Sequence, residues 1–494
     1  MKLLMRIAIA ALAGFVASLS MPPREAPWIL LPLGVAAMYA CAVGLRSRSA
    51  ALVGLAGAFG YFAPLLKWME VVGIDAWMLL IGLCSIWWLI AFALLPVAQK
   101  FSQPALAFAT LWASLEILRD TVPWGGFGWA QFGMIVPLTP FVGLASNLGQ
   151  IPTTWLIIAV SCLAVEFVRK RRLNQSPILG LAGMAMIALA FVPITSGVTV
   201  DDSQTKKISV VQGGVDYYGL GTFGDIRSVL RRHIEATRAS SQEINTSDLV
   251  VWPENAADVN PMADSVSADL LNALVAEITP PILMGAVVAQ PDNTLHNVSL
   301  LWSRAGYSEK YVKRKVVPFG EFMPFREFVT SLTERAALMP RDFSPGTTHG
   351  SLNLGNFHVG ILICFEAADT GFALTDDDQA SIWVIHTNNA TYQFQGQSEQ
   401  QLLAARMRAA ETRRPVLVSS TSGISAIIDS QGQVKADLSQ TETGTISETF
   451  NTIVGKTPAM YAYAWWRYGL LASALLLLAL GARRRLQERR GLGR

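Results

Sequence analysis

Residues 360–366 read Gly-Ile-Leu-Ile-Cys-Phe-Glu, an unbroken apolar run that ends on a cysteine, a phenylalanine and a glutamate. Continuous apolar runs of this kind are typical of strands that are covered on both faces. In sheets flanked by helices, functional residues gather at the carboxyl ends of such strands. The stretch therefore predicts a buried strand of an α/β fold, with Cys364 in a position typical of a functional residue.

Similar apolar runs recur on both sides of this segment and alternate with helical patterns. The predicted strands are Ile208–Gln212, Asp248–Trp252, Pro281–Val288, Asn297–Trp302, Val359–Phe365, Ser381–His386, Pro415–Ser419 and Ile424–Asp429. Helical patterns cover Asp225–Ser241 and Glu399–Arg413, and residues 430–433 predict the turn of a C-terminal hairpin. Strands that alternate with helices in this way favour a layered α/β domain.

The rest of the chain has the composition of a membrane protein. Of the 494 residues, 52% are hydrophobic and 15% are charged, whereas an average soluble protein has about 25% charged residues. A helix needs about 20 mostly apolar residues to cross a bilayer. The eight runs of this kind are 4–20, 27–45, 50–66, 76–98, 104–120, 139–165, 177–196 and 465–482. The first run is alternatively a cleaved signal peptide, and the polar residues in 139–165 favour an interfacial position for its first half.

Basic residues predict the orientation of these spans. If the N-terminus is cytoplasmic, the loops on that side carry nine lysines and arginines, and the opposite loops carry three. This bias follows the positive-inside rule. We therefore predict a seven-span membrane base (1–197), an extracytoplasmic domain (198–460) and a C-terminal span with a basic cytoplasmic tail (461–494). The net charge of +3 is too small to indicate a nucleic-acid-binding surface.

Cysteine placement singles out one thiol. Four cysteines in so long a chain exclude a disulfide-stapled scaffold, and Cys41, Cys84 and Cys162 fall in predicted spans. Cys364 is the only cysteine of the predicted extracytoplasmic domain, where a free thiol is a liability unless it is buried or used. It is therefore either a buried strand residue that acts as a small hydrophobe or a nucleophile.

A nucleophilic cysteine needs a base or a cation nearby to become a thiolate. Two other predicted strand ends supply such groups. Glu254 follows the apolar run Val250–Trp252 after one proline, and Lys313 begins a segment that continues through Pro318-Phe319-Gly320 to Glu321.

These three strand-end segments together resemble the nitrilase superfamily, whose members use a Glu–Lys–Cys triad. With eight spans around the domain, the whole chain resembles the apolipoprotein N-acyltransferase family. The resemblance implies a multi-span α-helical membrane base and an extracytoplasmic nitrilase-like domain built as an α-β-β-α sandwich. The matching motifs are Trp252–Glu254, Tyr311–Glu321, Ile363–Glu366, Thr387–Asn389 and Ala405–Ala409.

Two features depart from the family pattern. Phe365 follows the cysteine, where many relatives have tyrosine. Segment 212–224 is expected to carry a tryptophan used in lipid binding, and its aromatic residues are instead Tyr217, Tyr218 and Phe223.

The resemblance implies a role for each site residue. Cys364 is the nucleophile, Glu254 is the general base that takes its proton, and Lys313 stabilises the oxyanion. Glu321 and Glu366 orient the triad through hydrogen bonds, the alternative being ordinary surface or salt-bridge carboxylates. Glu254 needs a partly desolvated position, because an ordinary glutamate pKa of about 4.3 is too low for an efficient base at neutral pH.

The implied reaction is a ping-pong acyl transfer without a cofactor. The thiolate attacks an ester of a membrane phospholipid to give a thioester. The α-amine of a diacylglyceryl-modified N-terminal cysteine on an apolipoprotein then takes the acyl chain. The implied location is the bacterial inner (plasma) membrane, with both termini cytoplasmic. The implied partners are the lipid bilayer and the two substrates, without nucleic acid, and the chain is expected to be a monomer.

Other interpretations remain open at this stage. A hydrolase would use the same triad with water in place of the amine, and a Cys–His pair would use His386. A transporter with an extracytoplasmic binding domain is disfavoured because no hydropathy repeat is visible. The five histidines show no metal-ligand spacing.

Two features of the membrane base also call for an interpretation. Glu116 and Arg119 lie three residues apart near a helix end and are expected to pair. The segment Trp124–Trp129 shapes a route for lipid or belongs to an interfacial aromatic belt.

Overall fold

The computed structural model describes residues 2–170, 197–216, 218–219, 225–332, 339–354, 357–376, 379–392 and 394–491. The chain divides into two compact units. One unit combines Met1–Ile194 with Pro458–Arg494, and the other is Thr195–Thr457. We call them the helical unit and the α/β unit.

Apolar helices make up the helical unit. Their bounds are Leu3–Ser18, Leu30–Ala42, Ser47–Leu65, Ile74–Ala93, Leu95–Ala98, Pro104–Arg119, Gly143–Leu148, Gln150–Lys170 and Pro458–Gly491. In the part of the chain that the structure describes, three helical stretches are long and apolar enough to cross a membrane: Ile74–Ala98, Gln150–Arg169 and Pro458–Gln487. The predicted span 177–196 lies outside the described residues, and the count of eight spans stays a prediction.

The predicted run 139–165 is broken in two. Its first helix ends at Leu148, and Gly149 adopts a φ of 86° that a residue with a side chain rarely takes. The N–H of Gly149 bonds back to the carbonyls of Leu144 and Ala145, which closes the short helix. The long helix Gln150–Lys170 then begins at the next residue.

Glu116 and Arg119 form the expected ion pair, with 2.7 Å between Arg119 Nη2 and Glu116 Oε2. Both side chains are buried, so their charges must be fully paired and hydrogen-bonded to be tolerated. Trp88 Nε1 donates to the second carboxylate oxygen at 2.7 Å. Arg119 also donates to the carbonyls of Phe127 and Trp129, so the pair fixes the backbone of the segment 124–129.

In its described residues, the α/β unit contains two six-stranded sheets. The strands are β1 (Val198–Gln212), β2 (Leu249–Val251), β3 (Ile282–Ala289), β4 (Leu295–Ser303), β5 (Gly306–Val312), β6 (Ser351–Asn353), β7 (His358–Ile363), β8 (Ala380–Thr387), β9 (Val416–Ser420), β10 (Ser425–Ile428), β11 (Val434–Leu438) and β12 (Gly444–Gly455). The strand orders are β12-β1-β2-β3-β4-β5 and β11-β10-β9-β8-β7-β6. Each sheet has a parallel centre, β1-β2-β3 in one and β7-β8-β9 in the other.

Helices pack on the outer faces of both sheets, with Ser228–Ala239 and Ser265–Glu277 on one sheet and Gln397–Thr412 on the other. The other helices of the unit are Ser241–Ile244, Arg326–Leu332 and Phe372–Thr375. Helix Ser265–Glu277 begins at Asp264, whose carboxylate accepts the N–H of Ser267 at 2.8 Å and caps the first turn.

Alternating side chains of β7 explain the layering. Val359, Ile361 and Ile363 pack between the two sheets, whereas Leu362 packs on the outside against the helical layer. This alternation is the two-residue period of a strand. With helices on both outer faces, the unit has the four layers of an α-β-β-α sandwich, and the predicted layered α/β fold is confirmed.

All eight predicted strands lie on observed strands, and the predicted hairpin joins β10 to β11 through residues 429–433. The strands β6 and β12 were not predicted, and of β5 only the end before Lys313 was predicted. The predicted strand Val359–Phe365 is too long, since β7 ends at Ile363 and a 3-10 helix covers Cys364–Ala368. The chain turns there because the Glu366 carboxylate accepts the N–H of Ile363 at 2.8 Å.

Gly360 of β7 lies opposite Trp383 of β8, and a Cβ at Gly360 would lie 2.4 Å from the indole ring. We expect Gly360→Ala to destabilise the α/β unit by about 1–3 kcal/mol, the usual cost of overpacking. Gly444→Ala is the control, because its Cβ would meet Leu438 at an ordinary 3.5 Å. Thermal unfolding of the detergent-purified protein measures both, and equal midpoints would contradict the expectation.

Candidate active site

Cys364 lies at the sharp turn between β7 and the 3-10 helix Cys364–Ala368. Its φ is 53°, in the left-handed region that residues other than glycine seldom adopt. Such a conformation persists only where the surroundings enforce it, and it occurs most often at functional sites. Cys364 as a whole residue is partly exposed, unlike the fully buried end of β7 that precedes it.

Glu366 enforces this turn. Its carboxylate is fully buried and accepts the N–H groups of Ile363 at 2.8 Å and Arg314 at 2.7 Å, and the hydroxyl of Tyr311 at 2.8 Å. A further bond comes from the N–H of Lys315 at 3.1 Å. Glu366 thereby ties the end of β7 to the segment that follows β5.

Lys313 directly follows β5 and is 1% exposed. Its Nζ lies 2.7 Å from Glu321 Oε1 and 3.6 Å from Glu254 Oε1. Asn297 lies between the two carboxylates, and its Nδ2 donates to Glu254 Oε1 at 2.7 Å and to Glu321 Oε1 at 3.1 Å. The ammonium group and the amide thus fix both carboxylates.

Glu254 is placed by a close contact between two backbone segments. The turn that follows β2 lies against β3, where the N–H of Gly285 donates to Pro253 O at 3.0 Å. A Cβ at Gly285 would lie 2.5 Å from the Cα of Glu254, so only glycine allows this approach. The hydroxyl of Thr421 donates to the carbonyl oxygen of Glu254 at 2.7 Å.

Burial sets the protonation states at rest. It raises the pKa of Glu254 above its usual range, and Lys313 opposes this with its positive charge. Loss of water around Cys364, followed by the charge of Glu254, raises the pKa of the thiol to about 12. The pKa of Lys313 is also raised, because the two carboxylates outweigh its burial. The site therefore holds a neutral thiol next to the Glu254–Lys313 pair, in which the ammonium group keeps its charge.

The structure places Lys313 between Glu254 and Glu321, with Cys364 within electrostatic range of all three, and Glu366 in the turn that carries Cys364. The alternative interpretation of Glu366 as an ordinary surface carboxylate is wrong, because the residue is completely buried. Sequence reasoning missed Asn297, although it opens a predicted strand, and Gln401, whose Nε2 lies 3.5 Å from Cys364 Sγ. Neither residue carries a charge that would have pointed to the site.

His386 is held in a different network. Its Nδ1 bonds Trp252 O at 2.7 Å and its Nε2 bonds Ser299 Oγ at 2.9 Å. Burial lowers the pKa of His386 to about 4, which keeps the ring neutral. Both ring nitrogens therefore connect strands, and the Cys–His pair is not supported. In the described residues, no group of three His, Cys, Asp or Glu side chains could hold a metal ion.

The segment 212–224 is described in part. The ring of Tyr218 packs 5.5 Å from the ring of Phe394, and the N–H of Gly219 donates to Ala390 O at 2.9 Å. Tyr217 and Phe223 lie outside the described residues.

Comparison with known proteins covers both units of the chain. Residues 13–163 match the family described as apolipoprotein N-acyltransferase N-terminal domain, and residues 207–455 match the carbon-nitrogen hydrolase family. An apolipoprotein N-acyltransferase of Pseudomonas paraeruginosa is 25% identical over 98% of each chain. The protein of that name from Azotobacter vinelandii is 28% identical over 96% of this chain and 95% of its own length.

One relative is matched over a shorter part. The apolipoprotein N-acyltransferase of Mycolicibacterium smegmatis is 31% identical over 58% of this chain, and the match spans about half (48%) of that relative's length. Among solved structures, an amidase from Nesterenkonia sp. aligns with 54% of this chain and 95% of its own, at 14% identity and a TM-score of 0.36.

The carbon-nitrogen hydrolase match alone covers half of the chain, and it contains every residue of the site described above. The N-terminal match covers most of the helical unit, and relatives of one name extend over nearly the full length. The chain belongs to the carbon-nitrogen hydrolase family and, within it, to the apolipoprotein N-acyltransferases.

Proposed function

We propose that this chain transfers an acyl group from a membrane phospholipid to the α-amine of the N-terminal diacylglyceryl-cysteine of apolipoproteins. The observation that carries the proposal is the grouping of the Cys364 thiol with the buried carboxyl group of Glu254 and the Lys313 ammonium, whose Nζ lies 3.6 Å from Glu254 Oε1. Thiol, base and cation are the parts that covalent acyl transfer requires. The names of the full-length relatives supply the donor and acceptor classes.

In the first step Glu254 takes the proton of Cys364 as the sulfur attacks the ester carbonyl. A new S–C bond forms, and the carbonyl π electrons move to oxygen. The pKa of Glu254, raised by burial, makes it a stronger base than an ordinary carboxylate. The intermediate collapses with cleavage of the C–O bond, and the leaving alcohol of the lysophospholipid receives the proton from Glu254. A thioester remains on Cys364.

In the second step the acceptor amine, in its neutral form, attacks the thioester carbonyl. The N–C bond forms, the C–S bond breaks, and the electron pair returns to the sulfur of Cys364. Glu254 takes the proton from the nitrogen and passes it to the thiolate. The net reaction converts an ester and an amine into an amide and an alcohol, with no cofactor required.

Lys313 stabilises negative charge in both steps. Its ammonium group stays protonated because Glu321 and Glu254 flank it. A fixed cation in a site shielded from water stabilises a developing oxyanion more strongly than water does. Asn297 and Glu321 hold the ammonium and the base at a constant separation, which is why we propose them as positioning residues.

We also propose the location of the reaction. The chain spans a bacterial inner (plasma) membrane eight times, with both termini in the cytoplasm and residues 198–460 outside it. The support is the excess of basic residues in the predicted cytoplasmic loops and in the tail that begins at Arg483. Both substrates are anchored in the same bilayer, so a catalytic domain tethered to it meets them without their leaving the membrane.

Intact-mass analysis tests the nucleophile and the donor together. After incubation with phospholipid vesicles, we expect the purified protein to gain the mass of one acyl chain, which neutral hydroxylamine removes. Cys364→Ala should gain nothing, because no other described residue occupies the position of the nucleophile. Addition of a synthetic diacylglyceryl-cysteine peptide should discharge the adduct onto the peptide, and an N-acetylated peptide should not. Release of free fatty acid at equal rates with both peptides would instead identify a hydrolase.

The pH dependence of acylation tests Glu254 as the base. The rate should fall as the pH drops through the raised pKa of Glu254, because the protonated carboxyl cannot accept the thiol proton. Glu321 raises that pKa through its negative charge, so Glu321→Gln should move the acid midpoint to lower pH and slow the reaction. The exposed Glu327→Gln serves as the control. An acid midpoint that is unchanged or higher in Glu321→Gln would refute this assignment.

Labelling of introduced cysteines tests the topology. In a Cys364→Ala background, Gln431→Cys and Arg485→Cys each add a thiol at an exposed position. A membrane-impermeant maleimide added to intact spheroplasts should label Gln431→Cys at once and Arg485→Cys only after lysis. The reverse order would show that the orientation is inverted.

A further inference from the structure

A chain of buried hydrogen bonds ends at the sulfur of Cys364. Gln401, on helix Gln397–Thr412, is 3% exposed, and its Nε2 donates to Cys364 Sγ at 3.5 Å. The Oε1 of Gln401 accepts from Asn389 Nδ2 at 2.8 Å. The amide of Gln401 is thus held at both ends, with its nitrogen directed at the nucleophile.

The direction of the chain is set at its far end. The main-chain N–H of Gly423, which can only donate, bonds Ser420 Oγ at 2.6 Å. The single hydroxyl hydrogen of Ser420 then bonds Asn389 Oδ1 at 3.3 Å. In the structure Asn389 Nδ2 donates to Gln401 Oε1, which leaves Nε2 of Gln401 as the donor to the sulfur.

The surrounding packing leaves this chain little freedom. Ser420 is completely buried and Asn389 is 2% exposed, and these groups lie at the ends of the adjacent strands β9 and β8. A Cβ on Gly423 would lie 2.4 Å from Ser420 Oγ and 2.6 Å from Asn389 Oδ1. Glycine is therefore the residue that lets the turn after β9 donate to the serine.

We propose that the Gln401 amide stabilises the Cys364 thiolate, both as it attacks and as it leaves the thioester, and that Asn389, Ser420 and Gly423 are the positioning residues that aim it. This inference rests on the proposed function for its role in catalysis. It adds a neutral hydrogen-bond donor that acts on the sulfur, beside the positive charge of the Lys313 ammonium.

The charges around the sulfur explain the need for this donor. Glu254, after β2, and Glu321, after β5, both oppose a second negative charge, and Lys313 is the cation that favours it. Tyr392, in the loop after β8, is the further titratable group that interacts with the thiol. Since two carboxylates face one ammonium, the positive charge of Lys313 does not fully balance a thiolate. The Gln401 amide, which reaches the sulfur from helix Gln397–Thr412, offsets part of this missing positive charge.

Alkylation of Cys364 by iodoacetamide, followed by intact mass across a pH series, tests the proposal without any lipid substrate. Gln401→Met removes the hydrogen-bond donor and leaves the side-chain volume nearly constant. At each pH below the midpoint of the Cys364 thiol titration, we expect alkylation to slow by about 10-fold, because the thiolate loses a hydrogen bond to its charge. Cys364→Ala corrects for modification at other sites.

Gln397→Met is the matched control. Gln397 lies one turn earlier on the same helix and is also 3% exposed. Its side chain also accepts a hydrogen bond from Asn389 Nδ2, but of the two glutamines it is Gln401 that donates to the Cys364 sulfur. We expect Gln397→Met to alkylate within twofold of the unmodified protein. Equal slowing in both variants, or no slowing in Gln401→Met, would overturn the proposal.

A second variant keeps the test decisive if Gln401→Met does not fold. Gln401→Glu retains the size of the side chain and an oxygen for Asn389, but replaces the donor with a negative charge, so alkylation should slow further. The outcome is separate from that of the phospholipid experiment. If alkylation is slow in the Gln401 variants but the unmodified protein forms no thioester with phospholipid, only the proposed function is refuted. If alkylation is normal in both Gln401 variants, only this inference is refuted.

Discussion

The geometry of the active site depends on one buried positive charge. The ammonium group of Lys313 is almost fully enclosed, and an ion in that position is tolerated only if anions and hydrogen bonds replace its water. Glu254 and Glu321 provide the anions from two different loops, so the ammonium fixes their separation. The same arrangement leaves one uncompensated negative charge beside the thiol. Cys364 therefore rests as a thiol, and the reaction begins with transfer of its proton.

The conformation of the nucleophile is maintained by a separate group of contacts. A left-handed backbone at a residue other than glycine costs roughly 1–3 kcal/mol, and Cys364 has such a backbone. Glu366 offsets this cost with four hydrogen bonds, one within the turn at Ile363 and three that join the turn to Tyr311 of β5, Arg314 and Lys315. This explains why a carboxylate follows the cysteine by two residues and yet lies away from the bond-making atoms.

Much of the α/β unit could be predicted, because its central strands are continuous apolar runs, and Glu254 and Cys364 stand at the ends of two of them. The edge strands could not be predicted in the same way. β12 is long and pairs with β1, but it mixes polar and apolar residues, and most of its length is partly or fully exposed. Gln401 was missed for a different reason: its sequence context is an ordinary helix, and only the packing of that helix brings one amide to the sulfur.

The pairing of β1 with β12 has a consequence for the architecture of the chain. Val198 at the start of the α/β unit is the partner of Gly455 near its end, so the two ends of the unit lie on neighbouring strands. A module of this kind can be inserted into another chain at a single point, because its entrance and exit coincide. The same adjacency makes the unit suited to circular permutation, with a short linker joining its natural ends and new termini opened in the exposed hairpin turn between β10 and β11.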